Sequence, residues 1–464
     1  MTLIKSISGI RGTIGGVPGE NLTPVDAVKF AAAYGTWLKA YHGKQELKVV
    51  IGRDARLSGQ MVQQLVSATL TGLGIDIVDL GLSTTPTVEL AVPLENADGG
   101  IILTASHNPK QWNALKLLNE KGEFLNAAEG QAILELAEKE DFDFAEVDDL
   151  GTIKSDDSYL ARHIESVLGL DLVDADTIRQ KKFKVVVDGV NSSGGIAIPA
   201  LLEALGVEVI PLFCEPTGHF PHNPEPLKEH LGAICQKVIE TGADFGVVVD
   251  PDVDRLAFIT ETGEMFGEEY TLVACADYVL GKTPGNTVSN LSSTRALRDI
   301  TEKHKGQYTA AAVGEVNVVS AMKETRAIIG GEGNGGIIYP SSHYGRDALV
   351  GTALFLMLLS ETHTTVSALK ASYPQYYMGK KKIELTPDLD VDALLKVIAL
   401  KYKDEALNTV DGVKIDFAEN WVHMRKSNTE PIIRIYTEAA SQQAADGLAD
   451  KFIAELEALS KEIR

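Results

Sequence analysis

An α/β fold built from several related units is predicted by three observations. Short β-branched runs alternate with longer helical patterns along the chain, as expected where strands pair side by side and helices cover their faces. Three times an apolar strand runs straight into a polar loop, at ILTASHNP, VVVDPDVDR and AIIGGEGNGG. The 464 residues are too many for one core at roughly 100–200 residues per domain.

The strands read in order as residues 48–51, 75–79, 101–104, 184–188, 207–212, 245–250, 327–329 and 432–436. Each is a short run rich in Val, Ile, Leu or Phe. Helical patterns fall between them, at 60–73, 196–205 and 231–241, where apolar positions recur every three or four residues. The longest apolar stretch, 348–359, follows Arg346-Asp347 and stops before Glu361. It falls short of the roughly 20 residues that cross a bilayer, so a buried helix is expected. The polar stretch 139–157 reads as a linker or an excursion, and the Tyr373-Pro374 step stops the helix before it. The domains are therefore expected at 1–150, 151–255, 256–372 and 373–464. Ligands of open α/β sheets bind beyond the carboxyl ends of strands, which puts the chemistry in the strand-ending loops.

Composition narrows the function. With 43 Lys and Arg against 65 Asp and Glu the net charge is −22, so nucleic acid is not an expected partner. A small anionic substrate needs only a local gathering of basic groups. Apolar content of 44% with 23% charged residues is that of a folded globular protein. Cys214, Cys235 and Cys275 have no CxxC spacing, so neither a disulfide framework nor a zinc site is expected. The start, MTLIKSISGIRG, lacks the apolar core of a signal peptide. A soluble, cytoplasmic protein with no membrane partner is expected.

In TASHNP (104–109), Ser106 follows a buried strand on a stiff turn. It is either a nucleophile or phosphoryl carrier, with His107 and Lys116 as proton-handling candidates, or part of a turn that only bonds backbone. In DPDVDR (250–255), Asp250, Asp252 and Asp254 alternate and converge readily on one hard divalent cation. An EF-hand loop is excluded: its sixth position, which needs glycine, is Arg255, and the LAFIT that follows is strand-like rather than helical. A cation site or a solvated acidic turn remains. Three ligands leave octahedral positions open, as at a catalytic Mg²⁺, and the Arg255 fork can hold a phosphoryl oxygen.

GGEGNGG (330–336) formally contains GxGxxG, but the Ile337-Ile338-Tyr339-Pro340 that follows is strand-like. A dinucleotide site needs a helix there. Glu332 and Asn334 suit sugar hydroxyls, unless the loop is a ligand-free glycine-rich hairpin. RKSNTEP (425–431), with Arg434 beyond, reads as a phosphate cradle of Arg425, Ser427, Asn428 and Thr429 or as an ordinary solvated loop. Arg11 in SGIRGT and Arg53 and Arg56 in GRDAR each read singly as surface residues; His343 and Arg346 are candidates for handling protons or phosphate. A serine, a Mg²⁺ site, a hydroxyl-binding loop and a separate phosphate cradle together describe phosphoryl transfer to a substrate that already carries phosphate. If that substrate turns end for end, the enzyme is a mutase.

These four motifs, in this order and spacing over nearly the whole chain, resemble the α-D-phosphohexomutase superfamily, which includes phosphoglucomutase, phosphomannomutase and phosphoglucosamine mutase. The resemblance implies a heart-shaped arrangement of three related α/β domains and a smaller C-terminal α+β domain. It implies Ser106 as a phosphoserine, and Asp250, Asp252 and Asp254 with the Ser106 phosphate as ligands of one Mg²⁺ per chain. It implies Lys116 as general base, Arg11 and Arg255 as active-site arginines, Glu332 on sugar hydroxyls, and Arg425, Ser427, Asn428 and Thr429 on the phosphate not being transferred. The implied reaction passes through a hexose 1,6-bisphosphate, which also activates unphosphorylated enzyme, in a monomer or homodimer.

Many members have GEMSGH or GEQSGH in the sugar loop, with serine and histidine where this chain has Asn334 and Gly336. The GEGNGG form resembles archaeal-type members and a group of bacterial ones, often assigned as phosphoglucosamine mutases. Conversion of glucosamine 6-phosphate to glucosamine 1-phosphate is therefore the first expectation, with phosphoglucomutase/phosphomannomutase next. A phosphoserine hydrolase and a non-catalytic sugar-phosphate-binding paralogue are the alternatives from other classes.

Overall fold

A computed structural model describes residues 2–6, 9–44, 46–384, 390–426 and 432–462. Its strands form four separate sheets. The first has seven strands in the order Ile4–Ser6, Gly9–Thr13, Trp112–Leu118, Gly99–Leu103, Leu47–Arg53, Ile75–Leu82 and Ile153–Ser155. The second runs Leu256–Thr260, Phe245–Val249, Lys184–Asp188 and Glu208–Leu212, and the third Tyr308–Ala311, Asn286–Asn290, Ala327–Glu332 and Gly336–Ile338. The fourth is antiparallel throughout, from Tyr377–Glu384 and Ile432–Ala439 to Trp421–Lys426, Val413–Asp416 and Ala406–Asn408.

The threefold strand-and-loop pattern has a common structural form. Gly99–Leu103, Phe245–Val249 and Ala327–Glu332 each lie parallel to a neighbouring strand and each return antiparallel through the following loop. The third return confirms that GGEGNGG is a hairpin and not the mouth of a dinucleotide site. The division expected after residue 255 falls inside the Phe245–Thr260 hairpin, because Val249 pairs with Leu256, so the second sheet extends to Thr260. Likewise Ile153–Ser155 pairs with Ile77–Asp79 in the first sheet, beyond the expected division at 150.

Local sequence sets the helices that present these loops. Thr84 caps helix Thr85–Leu94 by accepting from the Thr87 amide, with proline in its first turn, where a missing N–H costs nothing. Asp347 caps helix Ala348–Thr362 by accepting from the Leu349 and Val350 amides at 2.8 and 3.2 Å. That helix is the apolar stretch expected to be buried, and its residues 348–360 are buried. It belongs by sequence to the third unit but packs on the second, where Phe355 stacks on Phe258 with centroids 3.7 Å apart. Each such side chain stabilises the fold by about 1.5–3 kcal/mol. Among the described residues no single helix is long and apolar enough to cross a membrane; Ala348–Thr362 and Val366–Ser372 pass only as a pair bent by 88°.

The first three sheets meet at residues 250–255. From the first sheet's side, the Thr85 amide donates to the Asp252 carbonyl at 2.8 Å. Ser192 Oγ donates to the Pro251 carbonyl at 2.8 Å, the Leu256 amide to Gly335 at 3.0 Å and the Ala348 amide to Val253 at 3.2 Å. The fourth sheet is fastened to the third by buried Arg295, whose guanidinium donates to Asp416 Oδ1 and to the Asn420 carbonyl, both at 3.0 Å.

Candidate active site

Ser106 ends the strand Gly99–Leu103 in the left-handed region at φ 48°, a conformation costing a non-glycine residue about 1–2 kcal/mol. Its neighbours hold it there. The Ser106 amide donates to Thr104 Oγ1 at 2.9 Å, and its carbonyl accepts from Arg56. Arg56, expected on the surface, is instead 1% exposed. Its Nε pairs with Asp54 at 2.9 Å, and its terminal nitrogens also reach the carbonyls of Asn108, Pro109 and Trp112 at 2.7–3.0 Å. One guanidinium thus ties the whole 106–112 loop to the end of strand Leu47–Arg53. Asp54 takes a second bond from Thr104 Oγ1 at 2.7 Å.

Asp250, Asp252 and Asp254 are fully buried, and one carboxylate oxygen from each lies within 4.8 Å of the others. Val253, at φ 66°, supplies the reversal that turns all three inward. Asp250 Oδ2 accepts from Ser106 Oγ at 2.6 Å, which joins the serine to the triad. Lys116, on the return strand Trp112–Leu118, donates to Asp252 Oδ2 at 2.7 Å and to Asp254 Oδ2 at 3.3 Å. Thr85 Oγ1 donates to Asp252 Oδ2 at 2.6 Å. Yet Asp252 Oδ1 and Asp254 Oδ1, both buried, have no hydrogen-bond partner among the described residues. Buried carboxylate oxygens without donors are costly, and oxygens converging on one point fit a hard divalent cation.

Electrostatics divides the triad. Burial, reinforced by Asp252 and Asp254, pushes Asp250 well above the usual carboxylate range. Burial also acts on Asp254, but Arg346, Lys116 and Arg255 outweigh it and hold Asp254 below that range. Burial opposes the charge on Lys116, while Asp252 and Asp254 overcome it and raise the ammonium above its ordinary value. Burial, Arg255 and Arg11 push His107 well below the usual imidazole value, so it is neutral near pH 7.

The other candidates gather around this centre. His107 Nδ1 lies 3.4 Å from Ser106 Oγ, and its Nε2 lies 3.5 Å from Arg255 Nη2. Arginine can only donate, so this contact favours the tautomer with the imidazole proton on Nδ1, facing the serine. Arg255 also pairs with Glu225 at 3.0 Å. Arg11 Nη1 donates to Asn108 Oδ1 at 3.1 Å, holding it over the serine loop. Glu332, 5% exposed, accepts from Asn290 Nδ2 at 2.8 Å, the Gly314 amide at 3.2 Å and Arg346 Nη1 at 2.8 Å. Asn334 closes its own turn, accepting from the Gly336 amide at 3.2 Å. Arg346 Nη2 donates to Asp254 Oδ2 at 2.6 Å, so it spans the metal loop and the sugar loop.

Arg425 stands apart on the fourth sheet, cross-strand from Arg434; Ser427, Asn428 and Thr429 lie outside the described residues. The sequence reading missed Thr85, Glu225 and Glu315, and gave Arg56 a surface place. Thr85 follows a strand end in the STTP run, a turn-and-cap signal; Arg56 follows Asp54 by two residues at another strand end.

Four family models cover the chain. Residues 4–144, 160–263 and 267–377 match the alpha/beta/alpha domains I, II and III of phosphoglucomutase/phosphomannomutase, and residues 380–455 match its C-terminal domain. A phosphoglucomutase/phosphomannomutase of Thermococcus kodakarensis is 36% identical over 438 residues, spanning 94% of this chain and 95% of that protein. A probable phosphoglucosamine mutase of Methanopyrus kandleri is 33% identical, spanning 98% of each. The crystal structure of a phosphoglucomutase/phosphomannomutase family protein from Burkholderia thailandensis superposes with a TM-score of 0.84 at 26% identity, covering 98% of both chains. With all four domain models in order and whole-length relatives on either side of the substrate divide, the chain belongs to the α-D-phosphohexomutase superfamily.

Proposed function

We propose that this chain carries a phosphoryl group on Ser106 and interconverts hexose 6-phosphates and hexose 1-phosphates, with glucosamine 6-phosphate preferred. The observation that carries the reaction is the joining of Ser106 Oγ to Asp250 at 2.6 Å inside a buried aspartate triad with two unpartnered oxygens. Asp250, Asp252 and Asp254 would hold Mg²⁺, which when bound supplies charge neutralisation for the phosphoryl oxygens and draws carboxylate charge away from Lys116.

The chain's own groups divide the remaining work. O1 or O6 of the hexose phosphate attacks the phosphorus on Ser106; Lys116, deprotonated once the triad's charge is drawn off, takes the hydroxyl proton, and the P–Oγ bond breaks as the Asp250 carboxyl gives Oγ a proton. The resulting 1,6-bisphosphate turns end for end; Ser106 Oγ attacks its other phosphorus, the Oγ proton passes back to Asp250, and Lys116 returns its proton to the sugar oxygen released. His107 donates through Nδ1–H to an oxygen on Ser106 and orients it. Arg11 and Arg255 flank the phosphoryl group with fixed positive charge. Arg425, Ser427, Asn428 and Thr429 hold the phosphate at the far end, and Glu332 and Asn334 meet the sugar hydroxyls.

The substrate choice rests on charge at the sugar loop. Glu332 and Glu315 are both buried there and share the single Arg346 guanidinium, at 2.8 and 3.0 Å, a surplus of carboxylate that favours an ammonium over a hydroxyl at C2. The Methanopyrus relative, named a probable phosphoglucosamine mutase, agrees with this. The Thermococcus relative, at 36% identity and named phosphoglucomutase/phosphomannomutase, favours a second reading with glucose or mannose phosphates. Measuring kcat/KM for glucosamine, glucose and mannose 6-phosphates side by side decides between them. A hundredfold preference for glucosamine 6-phosphate, about 2.7 kcal/mol in transition-state binding, is expected; equal or faster turnover of glucose or mannose 6-phosphate refutes the substrate assignment.

A further inference from the structure

Arg346 follows the return strand of the sugar loop and pairs across it with Ile338. It is 8% exposed and meets carboxylates from three different segments. Nη2 donates to Asp254 Oδ2 in the metal loop at 2.6 Å, and Nη1 to Glu332 Oε2 at the end of strand Ala327–Glu332 at 2.8 Å. Nε lies 3.0 Å from Glu315 Oε2, at the start of helix Glu315–Thr325, and the Arg346 amide donates to Glu315 Oε1 at 3.2 Å.

The path of this side chain explains the glycine beside it. A Cβ at residue 336 would lie 2.3 Å from Arg346 Cδ and 3.0 Å from Cγ. The φ of Gly336 is not positive, so the backbone itself does not require glycine; the arginine methylenes do. A side chain at 336 and a bridging guanidinium at 346 are mutually exclusive. The histidine that many members have at this loop position has no room here, because Arg346 fills the volume.

We infer that Arg346 is the positioning residue that couples the two halves of the site, setting the Asp254 carboxylate for the cation and the Glu332 carboxylate for the sugar through one planar fork. A lysine, with a single point of charge, cannot satisfy both. The inference rests on the cation that the proposed function gives to Asp254, and not on which hexose phosphate is turned over.

The test uses the full chain and two readouts: titration calorimetry with Mg²⁺ alone, and KM and kcat for hexose 6-phosphates. Arg346→Lys is expected to weaken Mg²⁺ binding by about 10–100-fold, the usual cost of losing a group that orients a metal ligand, and to raise KM in parallel. Gly336→Ala changes no ionisable group, yet by displacing the arginine methylenes it is expected to impair both quantities in the same direction. In an Arg346→Ala background the added Gly336→Ala is expected to change neither by more than about twofold.

A Gly336→Ala protein with Mg²⁺ affinity and KM within about twofold of wild type overturns the inference, as does strict additivity of the two substitutions. Wild-type protein that takes up no Mg²⁺ overturns it too. Should Arg346→Ala fail to fold, Gly336→Ala and Arg346→Lys still decide. Absence of mutase turnover in wild type would count against the proposed function, while the Mg²⁺ titrations continue to test the coupling.

Discussion

Replacing Arg56 with methionine tests whether the serine loop is held by one buried guanidinium. In the structure Arg56 and Asp54 are both fully buried, paired at 2.9 Å, and Arg56 reaches the carbonyls of Ser106, Asn108, Pro109 and Trp112. Methionine keeps the volume but removes every donor. Asp54 then stands buried with only Thr104 Oγ1 and the residue 56 amide to bond it, and breaking a buried ion pair on one side costs about 3–5 kcal/mol. The freed carbonyls add to this wherever water cannot reach them. Part of the loss should return in Asp54→Asn/Arg56→Met, where no charge is left unpaired. Arg56→Lys keeps the charge but not the fork, so an intermediate loss is expected. Urea unfolding gives the total, and hydrogen–deuterium exchange over residues 104–112 shows whether the loss is local. An Arg56→Met protein within about 1 kcal/mol of wild type, with unchanged exchange in that segment, refutes the reasoning.

Two further predictions follow from the same contacts. Asp252→Asn replaces a triad carboxylate by an amide at the residue whose Oδ1 has no hydrogen-bond partner among the described residues; Mg²⁺ affinity measured by calorimetry should fall by a factor of ten or more, about 1.4 kcal/mol per factor of ten, with the fold retained. His423 joins the fourth sheet to the third: its Nε2–H donates to the Asp411 carbonyl at 2.7 Å, and its Nδ1 accepts from Ser292 at 2.9 Å. Burial lowers it to about 4. The unfolded chain therefore takes up a proton near pH 6.5 that the folded chain refuses, and stability should fall as pH drops from about 6.5 to about 4, by about 2 kcal/mol between pH 7 and pH 5. His423→Gln should flatten that slope, and an unchanged slope counts against the assignment.

Much of the architecture was legible because the loops that matter follow apolar strands. ILTASHNP, VVVDPDVDR and AIIGGEGNGG showed three related units, and the alternation of Asp250, Asp252 and Asp254 was enough to place three carboxylates on one point. The strand Asn286–Asn290, central to the third sheet, escaped notice because all its buried residues but Val288 are polar. Thr287 bonds Thr301, Ser289 bonds Tyr308 and Asn290 bonds Glu332, partners that no local pattern reveals. Arg56 was hidden for the same reason: a charged residue signals surface until the partners that surround it, distant along the chain, are seen; Arg346 stood out as a candidate for protons or phosphate, but its three carboxylates lie in segments that no local pattern brings together. The division at 255 failed because DPDVDR lies at the tip of a hairpin, where a functional loop resembles a boundary.

The most direct test of the account is to ask where the phosphoryl group goes. Wild-type chain and Ser106→Ala are incubated with a hexose 1,6-bisphosphate labelled in its phosphates and Mg²⁺, then digested and examined by mass spectrometry, and the labelled enzyme is chased with unlabelled hexose 6-phosphate. Label is expected on Ser106 alone, with its transfer to the sugar during the chase and neither label nor turnover in Ser106→Ala. Label on another residue, or substantial mutase turnover by Ser106→Ala, contradicts it.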